Sequence, residues 1–279
     1  MKIKSHIPNA LTCGNLLCGC LGIIRVFEGD LLLSCYLVGL ALIFDFLDGF
    51  AARLLKVSSP VGKDLDSLAD LVTFGVLPGI LMYKLIDLSY VYSFTKSLSA
   101  NEHFTLGGME MPYSSNNLLK YVGLVIPVFS AIRLARFNND TRQSESFIGL
   151  PTPANAIIIT GFCFLICKLH LNLSDANTML ELEARFQATH FVRGLVVFNL
   201  LGSPVLLCAV SVALSFLLVS GIPMFSFKFK NFSWKNNRIK YVYLVSCLAL
   251  IFLLGYSAIP LVIVLYLVLS IVSNLFSKS

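Results

Sequence analysis

Between Leu31 and Leu54 the chain reads LLLSCYLVGLALIFDFLDGFAARL, and this stretch decides the class of fold. At 1.5 Å per helical residue, about 20 apolar residues cross a hydrocarbon core roughly 30 Å thick. The run is long enough to do so, and its charges, Asp45, Asp48 and Arg53, gather at one end. A backbone in lipid must satisfy its own hydrogen bonds, and the run lacks the period-2 alternation of a barrel strand, so it reads as a helix.

Working outward, similar runs recur along all 279 residues: 7–27, 31–54, 67–87, 118–137, 153–171, 194–219, 240–257 and 259–276. The composition agrees, with 57% hydrophobic and 13% charged residues, against roughly 25% charged in an average soluble domain. The expected fold is all-α, a polytopic membrane helical bundle of about eight transmembrane helices. No strong internal repeat of the transporter kind is visible.

Threading the spans alternately across the bilayer puts 14 of the 21 Lys and Arg residues on one side, including Arg53, Lys56, Lys63, Arg133, Arg136 and Arg142. The positive-inside rule makes that side, with both termini, cytoplasmic. The net charge of +6 follows from this topology and an anionic lipid surface, with no call for nucleic acid. The first run carries Asn9, Thr12 and Asn15 and lacks a clear processing site, so it reads as a structural span rather than a cleaved signal. All eight cysteines fall inside spans, where they serve as small apolar residues rather than a disulfide framework or zinc site. The polar segments 88–117 and 172–193 read as solvated loops, with Glu102, His103, Glu110, Arg185 and His190 scattered along them. The segment 221–239 mixes basic and aromatic residues suited to the headgroup region.

Five of the 15 acidic residues, Asp45, Asp48, Asp64, Asp66 and Asp70, fall within 26 positions at the cytoplasmic ends of the second and third spans. A carboxylate there is expensive unless a ligand or a wet cavity compensates it. Asp45 and Asp48 are spaced i,i+3 on one helix, and Asp66 and Asp70 i,i+4 on the next, so each pair shares a face. The connection from Leu54 to Lys63, with Ser58-Ser59-Pro60 and Gly62, reads as a turn that brings the faces together. Clustered carboxylates with oxygen-only chemistry favour a hard divalent ion, Mg²⁺ or Mn²⁺. The bland alternative is an ion-pair network with Arg53, Lys56 and Lys63.

Asp45, Asp48, Gly49, Ala52, Arg53, Gly62, Asp66 and Asp70 fit D-x2-D-G-x2-A-R-x8-G-x3-D-x3-D at all eight fixed positions. The chain thereby resembles the CDP-alcohol phosphotransferases. Further stretches are similar to the bacterial-type phosphatidylserine synthases: Ile7 to Thr12 with Asn15, Ser67 to Asp70 running into Thr73-Phe74-Gly75, Arg133 to Asn138, and Gly149 to Ala154. The resemblance covers about the first 155 residues and implies catalytic helices over 1–171, with 172–279 as C-terminal transmembrane helices of the same membrane domain.

What the resemblance implies is a transferase that moves the phosphatidyl group of CDP-diacylglycerol to L-serine at the inner membrane, as a homodimer, with two Mg²⁺ or Mn²⁺ ions. Asp45, Asp48, Asp66 and Asp70 would hold metal, with Asp70 also the catalytic base. Gly49, Ala52 and Gly62 would let the nucleotide approach the backbone, and Arg53 would meet a phosphate. Thr12 and Asn15 would contact the CDP-lipid or else make interhelical hydrogen bonds. Arg133 and Arg136 would bind the serine carboxylate or a lipid phosphate, or else simply anchor a helix end. A sister enzyme taking glycerol 3-phosphate or an inositol phosphate would share the aspartate motif. From a different class, a divalent-cation transporter would need polar residues continuing across the bilayer, whereas these acids stop near one face.

Overall fold

A computed structural model describes residues 6–57, 59–99, 117–139, 147–174, 203–224, 234–255 and 258–277. Helix α1 (His6–Phe27) and helix α2 (Leu31–Leu55) form an antiparallel pair, joined by a tight turn in which Asp30 caps α2 by accepting from Leu33 N–H at 2.9 Å. Helix α2 ends where Lys56 takes a left-handed conformation at φ 52°. Helix α3 (Pro60–Asp70) then starts at once: Ser59 caps it, its Oγ accepting from Gly62 N–H at 3.0 Å, and Pro60 occupies the first turn, where a missing N–H costs nothing.

The third expected span, 67–87, therefore begins seven residues early, because a capped and proline-initiated turn starts a helix whose first residues are too polar for a hydropathy reading to include. Helix α3 passes through a π turn (Leu71–Val76) into α4 (Leu77–Ser99) without a break. Residues 88–99, expected as loop, are helical. The next span opens as a 3₁₀ turn (Leu118–Leu124) and continues as α5 (Val125–Asn139), followed by α6 (Thr152–Ser174), α7 (Pro204–Val219), α8 (Trp234–Leu254) and α9 (Ala258–Ser277). His103, Arg142, Arg185 and His190 lie outside the described residues.

Among the described residues, four stretches are long and apolar enough to cross a membrane: His6–Phe27, Leu31–Leu55, Pro60–Tyr90 and Leu118–Asn139. Four shorter apolar ones, Thr152–Cys167, Pro204–Val219, Ile239–Leu254 and Ala258–Ser270, match the remaining expected spans. The chain is a polytopic membrane helical bundle. Its buried core runs through Phe74, Leu77, Leu81, Met82, Leu85 and Ile86 on the third span, with Ile126 on α5 and Ile158 and Ile159 on α6 around it.

Two contacts place the functional end. Gly19 on α1 lies so close to the π turn that a Cβ would meet Thr73 Oγ1 at 2.5 Å, and Thr73 donates to the Asn15 carbonyl at 3.2 Å. At the other side, strand β1 (Phe147–Ile148) pairs antiparallel with β2 (Pro223–Met224). This clasp was not expected. Beside it, Gly149 N–H donates to the Ile222 carbonyl at 2.9 Å and Leu150 N–H to the Leu217 carbonyl at 3.0 Å. Gly149 has φ +77°, and a Cβ there would meet Leu218 O at 2.6 Å, so only glycine fits the crossing. The C-terminal helices thus hold the segment that leads into α6.

Candidate active site

The aspartate pairs do meet. One carboxylate oxygen from each of Asp45, Asp48 and Asp66 lies within 4.8 Å of the others, where α2 and α3 converge beside the N-terminal end of α1. Asp70 stands outside this trio, one turn deeper along α3. Asp48 is held from α1: Thr12 donates its hydroxyl proton to Asp48 Oδ2 at 2.7 Å, a shorter contact than its 3.1 Å approach to the Pro8 carbonyl. Asn15, one turn further along α1, donates Nδ2–H to Asp70 Oδ1 at 3.2 Å. Thr12 and Asn15 therefore make interhelical hydrogen bonds to the acids themselves, and Thr12 also faces open space.

That space is a cleft of about 230 Å³. Pro8, Asn9 and Thr12 line it from α1, Asp48, Gly49 and Ala52 from α2, Val57 and Ser59 from the turn, and Gly62, Lys63 and Asp66 from α3. A Cβ at Gly49 would meet nothing within 4 Å, so no neighbouring backbone presses on it and the missing side chain simply leaves room in the cleft. At Gly62 a Cβ would crowd Ser59 Oγ at 3.0 Å and Asn9 Oδ1 at 3.1 Å, narrowing the cleft from α3.

Arg53 and Asp64 are exposed and are not among the residues lining the cleft. Among the described residues no ion pair joins Arg53, Lys56 or Lys63 to the four aspartates, which removes the ion-pair network as the reason for the cluster. Lys63 Nζ instead donates to the Asn138 carbonyl at 3.0 Å, and Asn138 Nδ2–H donates to Ser67 Oγ at 2.8 Å, tying the end of α5 to α3. Asp66 Oδ1 is buried with no hydrogen-bond partner. A carboxylate oxygen accepts and cannot donate, so an oxygen in this state fits a cation.

The two arginines of α5 part company. Arg133 is buried, donates Nη1–H to Thr152 Oγ1 at 3.3 Å, packs over Phe137 with its guanidinium 5.6 Å from the ring centre, and is close enough to Asp70 to interact with its charge. Arg136 is exposed and donates to the Val219 carbonyl of α7 at 3.4 Å. Sequence reasoning missed Asn9, Ser59 and Lys63 as cleft residues. Asn9 lies i−3 from Thr12 and Lys63 i−3 from Asp66, a spacing that already put them on the same faces.

A cleft floored by glycine and edged by carboxylates from two adjacent helices is what the eight-position motif demands, and the comparison with known families agrees. The CDP-alcohol phosphatidyltransferase family matches residues 5–192. The chain belongs to this family. As a member, it is similar to the CDP-diacylglycerol–serine O-phosphatidyltransferase of Helicobacter pylori, 29% identical over 271 residues that cover 96% of this chain and 91% of that one. It is also similar to the enzyme of the same name from Bacillus subtilis, 30% identical over 60% of this chain and 78% of the relative. The archaetidylserine synthase of Methanothermobacter thermautotrophicus is 34% identical over 65% of this chain and 68% of its own length. For a family member, the acidic cluster fits divalent-metal binding.

Proposed function

We propose that this chain transfers the phosphatidyl group of CDP-diacylglycerol to L-serine, giving phosphatidylserine and CMP. The observation that carries the reading is the convergence of three carboxylate oxygens within 4.8 Å at a cleft with an open floor at Gly49. The serine acceptor draws support from the relatives' names and from a buried arginine, Arg133, beside Asp70. A phosphorylated acceptor would ask for several converging cations, and Arg136 is turned instead to the Val219 carbonyl.

Asp45, Asp48 and Asp66, with Asp70 completing the set, would hold divalent ions, two Mg²⁺ or Mn²⁺, an assignment suited to the all-oxygen donors and the unpartnered Asp66 Oδ1. Such ions, when bound, neutralise the pyrophosphate and the departing CMP. The chain does the rest. Thr12 fixes the rotamer of Asp48, Asn15 fixes Asp70, and Gly49, Ala52 and Gly62 leave the cleft open to the nucleotide. Asp70, anchored at Oδ1, takes the serine hydroxyl proton. The serine oxygen bonds to the phosphatidyl phosphorus as the bond to the CMP oxygen breaks, and Arg133 orients the serine carboxylate.

The site faces the cytoplasm from the inner membrane, with both termini on that side, an orientation that follows from the excess of Lys and Arg there. Residues 1–171 constitute the catalytic part, the later helices complete the same membrane domain, and the enzyme works as a homodimer. The test is CMP release by the purified protein from CDP-diacylglycerol, with serine, glycerol 3-phosphate or inositol phosphate supplied in parallel, with Mg²⁺ or Mn²⁺ or a chelator. Serine-dependent release that the chelator abolishes is the expected result. Release with another acceptor alone would discard serine and keep the chemistry.

A further inference from the structure

Beside the aspartates a second group of polar side chains is buried with hydrogen-bonding capacity left over. Arg133 Nε, both amide atoms of Asn155, and Ser130 Oγ are buried without partners. Asn155 is fully buried, at 0% exposure. Thr152, the first residue of α6, accepts from Arg133, and Asn155 lies one turn further on the same face. Ser130 lies one turn before Arg133 on α5, packed against Gly75 of the π turn. Helices α5 and α6 each pack against that turn, which begins at the residue following Asp70.

Unmet donors and acceptors inside an apolar bundle are costly, and a protein carries them where something else completes them. Their chemistry defines the guest. Arg133 offers N–H groups for an anion, Asn155 Nδ2 offers two more, and Asn155 Oδ1 can only accept. A guest that needs donors for a carboxylate and an acceptor for an ammonium, beside an arginine that interacts with the charge of Asp70, is a free amino acid.

We infer that Asn155 is an acceptor-binding residue: its Nδ2–H donates to the carboxylate of the incoming amino acid alongside Arg133, and its Oδ1 accepts from the ammonium. It thereby sets the preference for an amino acid over a phosphorylated polyol, whose extra negative charge the carbonyl would oppose. The inference rests on the serine reaction proposed above and adds the residue that selects the acceptor.

The experiment compares wild type with Asn155→Leu and Asn155→Asp, reading KM for serine, KM for CDP-diacylglycerol, and the thermal midpoint in detergent. Serinamide, which lacks the carboxylate, serves as a competing acceptor. Asn155→Leu is expected to raise KM for serine about tenfold or more and to narrow the discrimination between serine and serinamide, which Arg133 then carries alone, with KM for CDP-diacylglycerol within about twofold. Its thermal midpoint should hold or rise, because two unmet polar atoms are gone. Asn155→Asp should raise KM for serine further, because its charge repels the carboxylate. If both variants keep the wild-type KM for serine and its discrimination, Asn155 is a structural residue and the inference is wrong while the serine reaction stands. If wild type itself releases CMP with glycerol 3-phosphate and not with serine, the reaction and the inference fall together.

Discussion

The third membrane span, Pro60–Tyr90, carries charge towards both ends and treats it in opposite ways. Far along it, Asp87 meets Lys120 of the 3₁₀ turn at 3.4 Å, with side chains only 9% and 7% exposed, and Lys120 lies over the rings of Tyr83 and Tyr121 at 5.4 and 6.0 Å. Near its start, Asp66 and Asp70 stand with Asp45 and Asp48, and the described neighbours that bond them are neutral donors, Thr12 and Asn15. The first site closes its own charge balance, and such a pair belongs to the fold. The second sets four carboxylates against one nearby buried cation, Arg133 beside Asp70, and so leaves most of its negative charge uncompensated, a cost that folding alone gives no reason to keep.

The contrast can be broken most sharply at the acids. Asp70→Asn should lower CMP release by roughly 10² to 10⁴, the range lost with a proton-accepting group, while the thermal midpoint stays level or rises as repulsion is relieved. Loss of fold instead would show that the cluster is structural after all. Lys120→Met should do the reverse: stranding Asp87 should destabilise the bundle by about 3–5 kcal/mol, seen as a lower thermal midpoint, with turnover per folded molecule kept. The double variant Lys120→Met with Asp87→Leu should recover most of that loss.

Smaller effects sharpen the boundary between the two regions. Thr12→Val removes the hydrogen bond that holds Asp48 and should cut kcat/KM roughly tenfold or more, with a stability loss of no more than the one bond, about 1.5–3 kcal/mol. Asn138→Ala releases the α5-to-α3 tie and should cost about 1 kcal/mol of stability with KM for CDP-diacylglycerol nearly unchanged. An equal fall in activity and stability for Thr12→Val would assign Thr12 to the fold.

Much of this was legible in the sequence because it is local. The spacings of Asp45 with Asp48 and Asp66 with Asp70 are fixed by helical geometry, and a connection of a few residues leaves adjacent helices little choice but to meet. The start of α3 was legible in principle from Ser59-Pro60, but the polar residues 60–66 hid it from a reading by hydropathy. What stayed hidden depends on partners distant in the chain. Nothing near Lys120 announces Asp87, nothing near Phe147 announces Met224, and the different fates of Arg133 and Arg136 depend on Thr152 and Val219. Asn155 escaped notice for the same reason: an asparagine in an apolar run gains meaning only when its surroundings fail to satisfy it.

The π turn at Leu71–Val76 sets the phase between the two ends of the third span. Each residue of an α-helix advances the side-chain direction by about 100°, so the wider turn fixes the angle at which the acid-bearing face of α3 gives way to the face that presents Asp87. Removing a single residue there would keep a membrane span of almost unchanged length and hydropathy, yet aim one charged site correctly only by misdirecting the other. Alignments of this region should therefore tolerate substitution far more readily than a change of length.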